Sequence, residues 1–334
     1  MNREDVSPVV MPLYDRHICL QHSLAMLGKW KIPIKLYFFQ DGLPNNASCS
    51  QADRHSRVKS VASQLCRDLG IPFEYSSRDR HLGLRNNVFT SVSQLFEIFQ
   101  HVFCVEDDVC VSPAFPNYCV QHLTQQRSLI VNANRFSTRS PQEVVGLNGA
   151  IIDNQLSSWY SNIFRSWGWF CTRSVWEGFN PFTRLDMSDY ITKRLSHLPA
   201  QYLKLMAGYA KACNAGLNDS WAFPFQFFLW SKGQKILSPC FNMSTHIGVN
   251  GSHFSNSNIS ISKNLHYHYQ PVYDGQLSAE MLDIGSTDVA NYREIDEIRF
   301  IFGAAESSFN KFKSVYLREM RNSSMIFFPF VNVH

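Results

Sequence analysis

Glu106-Asp107-Asp108 sets three carboxylates directly behind the apolar run Val102-Phe103-Cys104-Val105. Carboxylate oxygens are what hard divalent cations such as Mg²⁺ take as ligands, commonly one or two of them with water and substrate phosphates completing the shell. The apolar run, opened by His101, has the length and composition of a strand buried on both faces. Ionised acids are costly to bury unpaired, so the trio must leave the carboxyl end of that strand facing water or a cation. In open α/β sheets, ligands bind beyond those ends. An acidic surface turn would use the same residues, and on this stretch alone the two readings stand level.

Asn218-Asp219-Ser220-Trp221 places another acid in an aromatic setting. A carboxylate against aromatic walls can have its pKa raised and serve as a general base. Equally, Asp219 can cap a helix running through Phe228, which would hold the carboxylate rigidly. Ser244-Thr245-His246-Ile247-Gly248-Val249-Asn250-Gly251-Ser252-His253 is a small-residue loop. Its amides and hydroxyls could cradle phosphate and its glycines would let it close as a lid, although an ordinary surface loop has the same composition. Single histidines more often serve other roles, so His246, His253, His266 and His268 rank behind the acids as metal ligands. Neither GxxxxGK[ST] nor a GxGxxG after a strand occurs, so the chain supports neither a P-loop nor a dinucleotide-binding turn.

The elements that must position these groups alternate. Ser7 to Leu13 reads as a strand, Asp15-Arg16 starts a helix carrying Ile18, Leu20, Leu24 and Leu27, and Ile34 to Phe39 is a strand ending in Gln40-Asp41-Gly42. A helix over about 54–69 is stopped by Gly70. Pro72 to Tyr75 is a short strand, 84–99 a helix, and 128–134 a strand beyond the acid trio. This alternation predicts βαβ units and a mostly parallel sheet with helices on its faces. The aromatic segments 159–176 and 221–230 read first as core, with a sugar-binding cleft as the other use of flat apolar rings. Helices are expected over 287–303 and 307–321.

A chain of 334 residues that is 45% hydrophobic and 17% charged is globular and long enough for one large domain or two. A net charge of +4 does not argue for nucleic acid. Nine cysteines without a CxxC pair fit a reducing compartment better than a disulfide framework. No signal peptide or apolar run of membrane-spanning length is expected, and the N-x-Ser/Thr triplets are treated as chance.

Taken in order, the motifs resemble the inverting GT-A glycosyltransferases, in the branch around N-acetylglucosaminyltransferase I and its bacterial relatives. The resemblance runs over about 7–254. Val105-Glu106-Asp107-Asp108-Val109 followed by Ser112-Pro113-Ala114-Phe115 is similar to the family's Glu-Asp-Asp variant of the DxD motif. Phe39-Gln40-Asp41, Trp167-Gly168-Trp169 with Arg173 and Trp176, Asn218-Asp219-Ser220-Trp221, and 248–253 resemble its remaining motifs. Two departures are Ser220 in place of a second acid and a closing loop reordered around Asn250-Gly251.

The resemblance implies a GT-A (nucleotide-diphospho-sugar transferase) α/β fold. A nucleotide-sugar-binding half would span 1–125, an acceptor-binding and catalytic half 126–255, and a C-terminal accessory segment 256–334. It implies Asp108 as direct ligand of Mn²⁺ or Mg²⁺, with Glu106 and Asp107 supporting. Asp41, Arg85 and Ser252 would hold the nucleotide sugar, Asp219 would be the base, and Trp167, Trp169 and Trp221 would shape the sugar and acceptor cleft. The expected partners are a nucleotide-diphosphate sugar, a UDP-sugar foremost, and a glycan or lipid-linked acceptor. The expected location is the cytoplasm or a membrane periphery. A retaining glycosyltransferase, a sugar nucleotidyltransferase and a non-catalytic carbohydrate-binding protein are the competing readings.

Overall fold

A computed structural model describes residues 6–124, 126–134, 158–239 and 243–248. The accessory segment 256–334 with its two expected helices lies outside the described residues, as do Ser252, His253, His266 and His268.

The first strand, β1 (Ser7–Leu13), pairs in parallel with β2 (Ile34–Gln40), which pairs in parallel with β3 (Phe73–Ser77). On the other side of β1 lies β4 (His101–Cys104), also parallel. This half of the sheet is parallel, as the alternating sequence predicts. The helices between are α1 (His17–Leu27), α2 (Cys49–Leu69) and α3 (Leu84–Phe96). The chain adds strands outward from β1 through β2 to β3 and then returns to place β4 on the opposite side. That reversal makes the carboxyl ends of β1 and β4 a topological switch point, the place where open α/β sheets bind ligands.

Beyond β4 the sheet is mixed. After β5 (Val109–Val111) and α4 (Phe115–Leu123) come β6 (Ile130–Asn132), β7 (Ser158–Ser161) and β8 (Trp169–Thr172). Three helices follow β8 after α5 (Arg173–Trp176), namely α6 (Asp189–Arg194), α7 (Ala200–Asn214) and α8 (Ala222–Lys232), then β9 (Ile236–Pro239) and β10 (Ser244–His246). The eight-stranded order is β3-β2-β1-β4-β8-β6-β9-β7, with β8 antiparallel to both β4 and β6. A separate ribbon joins β5 to β10 in antiparallel register.

Period-two alternation along the strands sends their side chains to two apolar layers. Val9, Met11, Leu36, Phe38 and Phe103 pack with Leu20, Leu24 and Leu27 of α1 and Val58 and Ala62 of α2. Val10, Tyr37, Phe39, Val102 and Cys104 face Val88, Val92 and Leu95 of α3 together with a dense aromatic group. Truncating a fully buried ring such as Phe103 in such a layer costs about 3–5 kcal/mol. The described cysteines are all free, several of them in these layers. No described helix is long and apolar enough to cross a membrane.

Candidate functional site

The acid trio occupies the turn linking the large sheet to the small ribbon. Val105 N–H donates to Val10 O at 3.1 Å as the last sheet contact, and Val109 N–H donates to Glu106 O at 3.1 Å to close the turn. Ser23 of α1 donates through Oγ to Asp107 O at 2.9 Å, and Ile247 N–H donates to Asp108 O at 2.8 Å. The two aspartates do not emerge into water, and Glu106 is half-buried. Asp107 is 5% exposed and Asp108 fully buried. The cation they face is Arg16, set just past β1 at the foot of α1. Its guanidinium bonds Asp108 Oδ2 and lies 3.5 Å from Asp107 Oδ1. His246 Nε2, from β10, stands 3.1 Å from the same Asp108 Oδ2. Trp221 Nε1–H donates to Glu106 Oε1 at 3.3 Å.

The Arg16 guanidinium and the His246 imidazole, set among two buried acids and the half-buried Glu106, divide the acids' behaviour. Burial, then the Asp108 charge, pushes the Glu106 carboxyl well above the usual range. Burial likewise raises Asp107, with Arg16 opposing and Asp108 adding. Burial also acts to raise Asp108, but His246 and Arg16 outweigh it and hold that carboxyl below its ordinary value. For Arg16, burial favours the neutral form, and the charges of Asp107, Asp108 and Glu106 overcome it. Asp108 is therefore the acid that stays ionised.

Among the described residues no group of three His, Cys, Asp or Glu side chains is arranged to hold a metal. Asp108 and His246 nevertheless make a fitting pair. Asp108 Oδ1 is buried without a hydrogen-bond partner among the described residues. Mg²⁺-type ions take one or two protein oxygens and leave the remaining positions to water and substrate phosphates. The residues after β10 press close as well, since a Cβ on Gly248 would clash with Asp108 Oδ2.

Asp41 follows β2 and is engaged by its surroundings. Its carboxylate accepts from the amides of Gly42 (2.9 Å), Leu82 (2.7 Å) and Gly83 (3.0 Å), and His81 Nδ1 lies 2.8 Å away. It thereby ties the 81–83 loop to the end of β2. Gln40 does the same for β1, donating to Tyr14 O at 3.2 Å and His55 O at 2.8 Å.

Arg85, in the first turn of α3, donates to Asn218 O, and its Nε lies 3.9 Å from Asp219 Oδ1. Arg85 therefore belongs beside the expected base. Asp219 is not a helix cap: α8 begins at Ala222 with Trp221 at its N-cap, and it is Asn218 Oδ1 that accepts from Ser220 N–H, at 2.7 Å. The Asp219 side chain, 56% exposed, lies against Gly83 at the amino end of α3 instead. Trp221, two residues on, links this acid to Glu106.

The tryptophans separate. Trp169 is fully buried in β8, stacked on Trp176 at 5.8 Å and flanked by Trp221 and Phe225. Its ring is core, which corrects its expected place in a sugar cleft: an inward position of a strand between β4 and β6 reaches no solvent. Trp221 is 2% exposed and presents only its N–H to the acid trio. Trp167 is half-buried and stacks on His246 at 4.7 Å and 21°.

Two partners of the trio were not placed by the sequence reading: Arg16 was read only as part of a helix start, and His246 only as a metal ligand ranked behind the acids. Arg16 and His246 lie 92 and 138 residues from Asp108 along the chain, and only the β1/β4 switch point and the β5–β10 register bring them in. The signal available for Arg16 was a basic residue immediately after the first strand.

No family model and no curated protein matches this chain. Among solved structures it is similar to S. aureus TarS 1-349 at 9% identity and TM-score 0.36, over 51% of this chain and 48% of that one. It is similar to mouse xyloside xylosyltransferase 1 in its apo form at 9% identity and TM-score 0.33, covering 68% and 82%. It is also similar to M. tuberculosis glucosyl-3-phosphoglycerate synthase in complex with Mn²⁺, UDP and glucosyl-3-phosphoglycerate, at 11% identity and TM-score 0.29, covering 54% and 59%. The chain spans about half the length of the first of these. What stands independently of them is a mixed α/β protein with a large central sheet flanked by helices and an acid cluster at its topological switch point.

Proposed function

We propose that the protein is a metal-dependent inverting glycosyltransferase that moves a sugar from a nucleotide-diphosphate donor to a hydroxyl of a glycan or lipid-linked acceptor. The observation that carries this reading is Asp108: ionised, buried at the strand end, paired with His246, and holding one oxygen without a partner among the described residues. Asp108 and His246 would hold Mn²⁺ or Mg²⁺, which supplies Lewis-acid neutralisation of a diphosphate leaving group. Glu106, oriented by Trp221, and Asp107, braced by Arg16, would support that ligand pair. Asp219 would accept the proton of the acceptor hydroxyl. The acceptor oxygen then bonds to the anomeric carbon as the bond from that carbon to the diphosphate oxygen breaks, its electron pair leaving on the phosphate. Attack from the opposite face inverts the anomeric centre. Asp41, through the 81–83 loop, would shape the nucleoside side and Ser252 would meet the diphosphate. A UDP-sugar is the expected donor.

The test is a donor panel with Mn²⁺, scored by release of free nucleotide and by NMR of the product anomer. Asp219→Asn is expected to lower kcat about 10²–10⁴-fold, the usual contribution of a general base. Asp108→Asn should remove the Mn²⁺-dependent activity. Undiminished transfer in Asp108→Asn, or after strict chelation, would exclude the metal role, and a retained anomer would exclude inversion.

A further inference from the structure

A cavity of about 610 Å³ opens between the start of α3, the 181–185 loop and the carboxyl end of α7. That volume is ordinary for a small-molecule site. Its charge is less ordinary: Arg85, Arg184 and Lys211 all line it, and no carboxylate stands among the described lining residues. Lys211, in the last turn of α7, also complements the carbonyl end of that helix. The two arginines have no such helix-end role. The Arg85 side chain is only 10% exposed, and its Nε is buried without a hydrogen-bond partner, 3.9 Å from Asp219 Oδ1. The wall is firmly built. Leu185 N–H donates to Asn214 Oδ1 at 2.8 Å and Asn214 Nδ2 returns a bond to Leu185 O at 2.7 Å, clamping the loop to α7. Phe182, 58% exposed, and Leu185 add apolar surface beside the cations.

We propose that this cavity binds a compact oxyanion, a phosphate or carboxylate, carried by the acceptor next to the hydroxyl that Asp219 deprotonates. Guanidinium forks match both oxyanions in shape and charge, and Arg85 joins the cavity to the base. The oxyanion site stands on the cavity itself. Its assignment to the acceptor rests on the glycosyltransferase reading.

Calorimetric titration of the full chain with glycerol, glycerol 3-phosphate and glycerate tests the proposal. The expected result is that one or both anions bind at least tenfold more tightly than glycerol, with their ratio saying which oxyanion fits. Arg184→Gln/Lys211→Gln should weaken anion binding at least tenfold with only the small fall in melting temperature expected from losing a helix-end cation, and Arg184→Gln alone should give a smaller loss of binding at an unchanged melting temperature. Equal affinity for glycerol and the anions, or a preference that survives the double substitution, overturns the site. UDP with Mn²⁺ is titrated separately. A protein that binds glycerol 3-phosphate through Arg184 but binds no nucleotide in the donor panel would keep the oxyanion site and lose its acceptor role.

Discussion

Desolvation and neighbouring negative charge disfavour the ionised forms of Glu106 and Asp107, and this makes the trio a pH-sensitive part of the fold. Each carboxyl is raised in the folded state, so its contribution to stability is complete below the ordinary carboxylate pKa and is lost as pH rises through the folded value, about 8 for Glu106. Asp108 has the opposite sign and loses its contribution only in strong acid. Glu106→Gln keeps an acceptor for Trp221 Nε1–H and removes the ionisation. It should leave the melting temperature near wild type at pH 5 and raise it at pH 8, by about 2–4 °C for each kcal/mol relieved. A variant whose melting temperature follows the wild type in parallel from pH 5 to pH 8 would show that Glu106 is not strained by ionisation. The chemistry of the trio was readable from sequence because three adjacent acids after an apolar run have few explanations. Its counter-charges were not, because Arg16 and His246 reach it only through tertiary pairing.

The loops and helix ends around Asp219 follow the same division. α2 is stopped where its glycine says, with Gly70 at φ 67°, but it begins at Cys49 with Ser48 accepting from Gln51 N–H, earlier than hydrophobic periodicity shows. The periodic signal starts only where the helix meets the core, whereas the cap lies on the exposed turn before it. The three-residue strands β5 and β10 have no period to read, although their pairing puts His246 on Asp108. At the amino end of α3, Gly83 takes φ 79° and a Cβ there would come within 2.7 Å of Asp219 Oδ2. Gly83→Ala therefore meets both a positive-φ extended backbone that only glycine adopts readily, costing about 1–3 kcal/mol, and the carboxylate of the proposed base. The expected outcome is a urea midpoint lowered in proportion, together with a fall in kcat larger than the loss of folded protein explains. A stability loss with kcat per folded molecule unchanged would mean that the position of Asp219 does not matter to turnover.

For the whole molecule, the parallel half was legible because each strand and helix announces itself by local pattern, and parallel neighbours must alternate with crossovers. In the mixed half β6 was legible, as the strand expected over 128–134, but the pairing around it was not. β8 is the short run Trp169-Phe170-Cys171-Thr172, read as part of an aromatic cluster, and its insertion between β4 and β6 is a long-range pairing. That insertion turns Trp169 inward, and the β5–β10 ribbon brings His246 to the acid trio at the switch point. A ligand bound there would touch segments from β1, β4 and β10 at once, and binding to the folded state alone must stabilise all of them together. At 100 times its dissociation constant, a nucleotide with Mn²⁺ should add about 2.7 kcal/mol, which corresponds to a rise of about 5–10 °C in melting temperature. In Asp108→Asn the Mn²⁺-dependent part of that rise should disappear while any metal-independent nucleotide shift remains. An Mn²⁺-dependent shift of full size in Asp108→Asn would place the metal elsewhere. No shift with any nucleotide at millimolar concentration would remove the switch point as a nucleotide site.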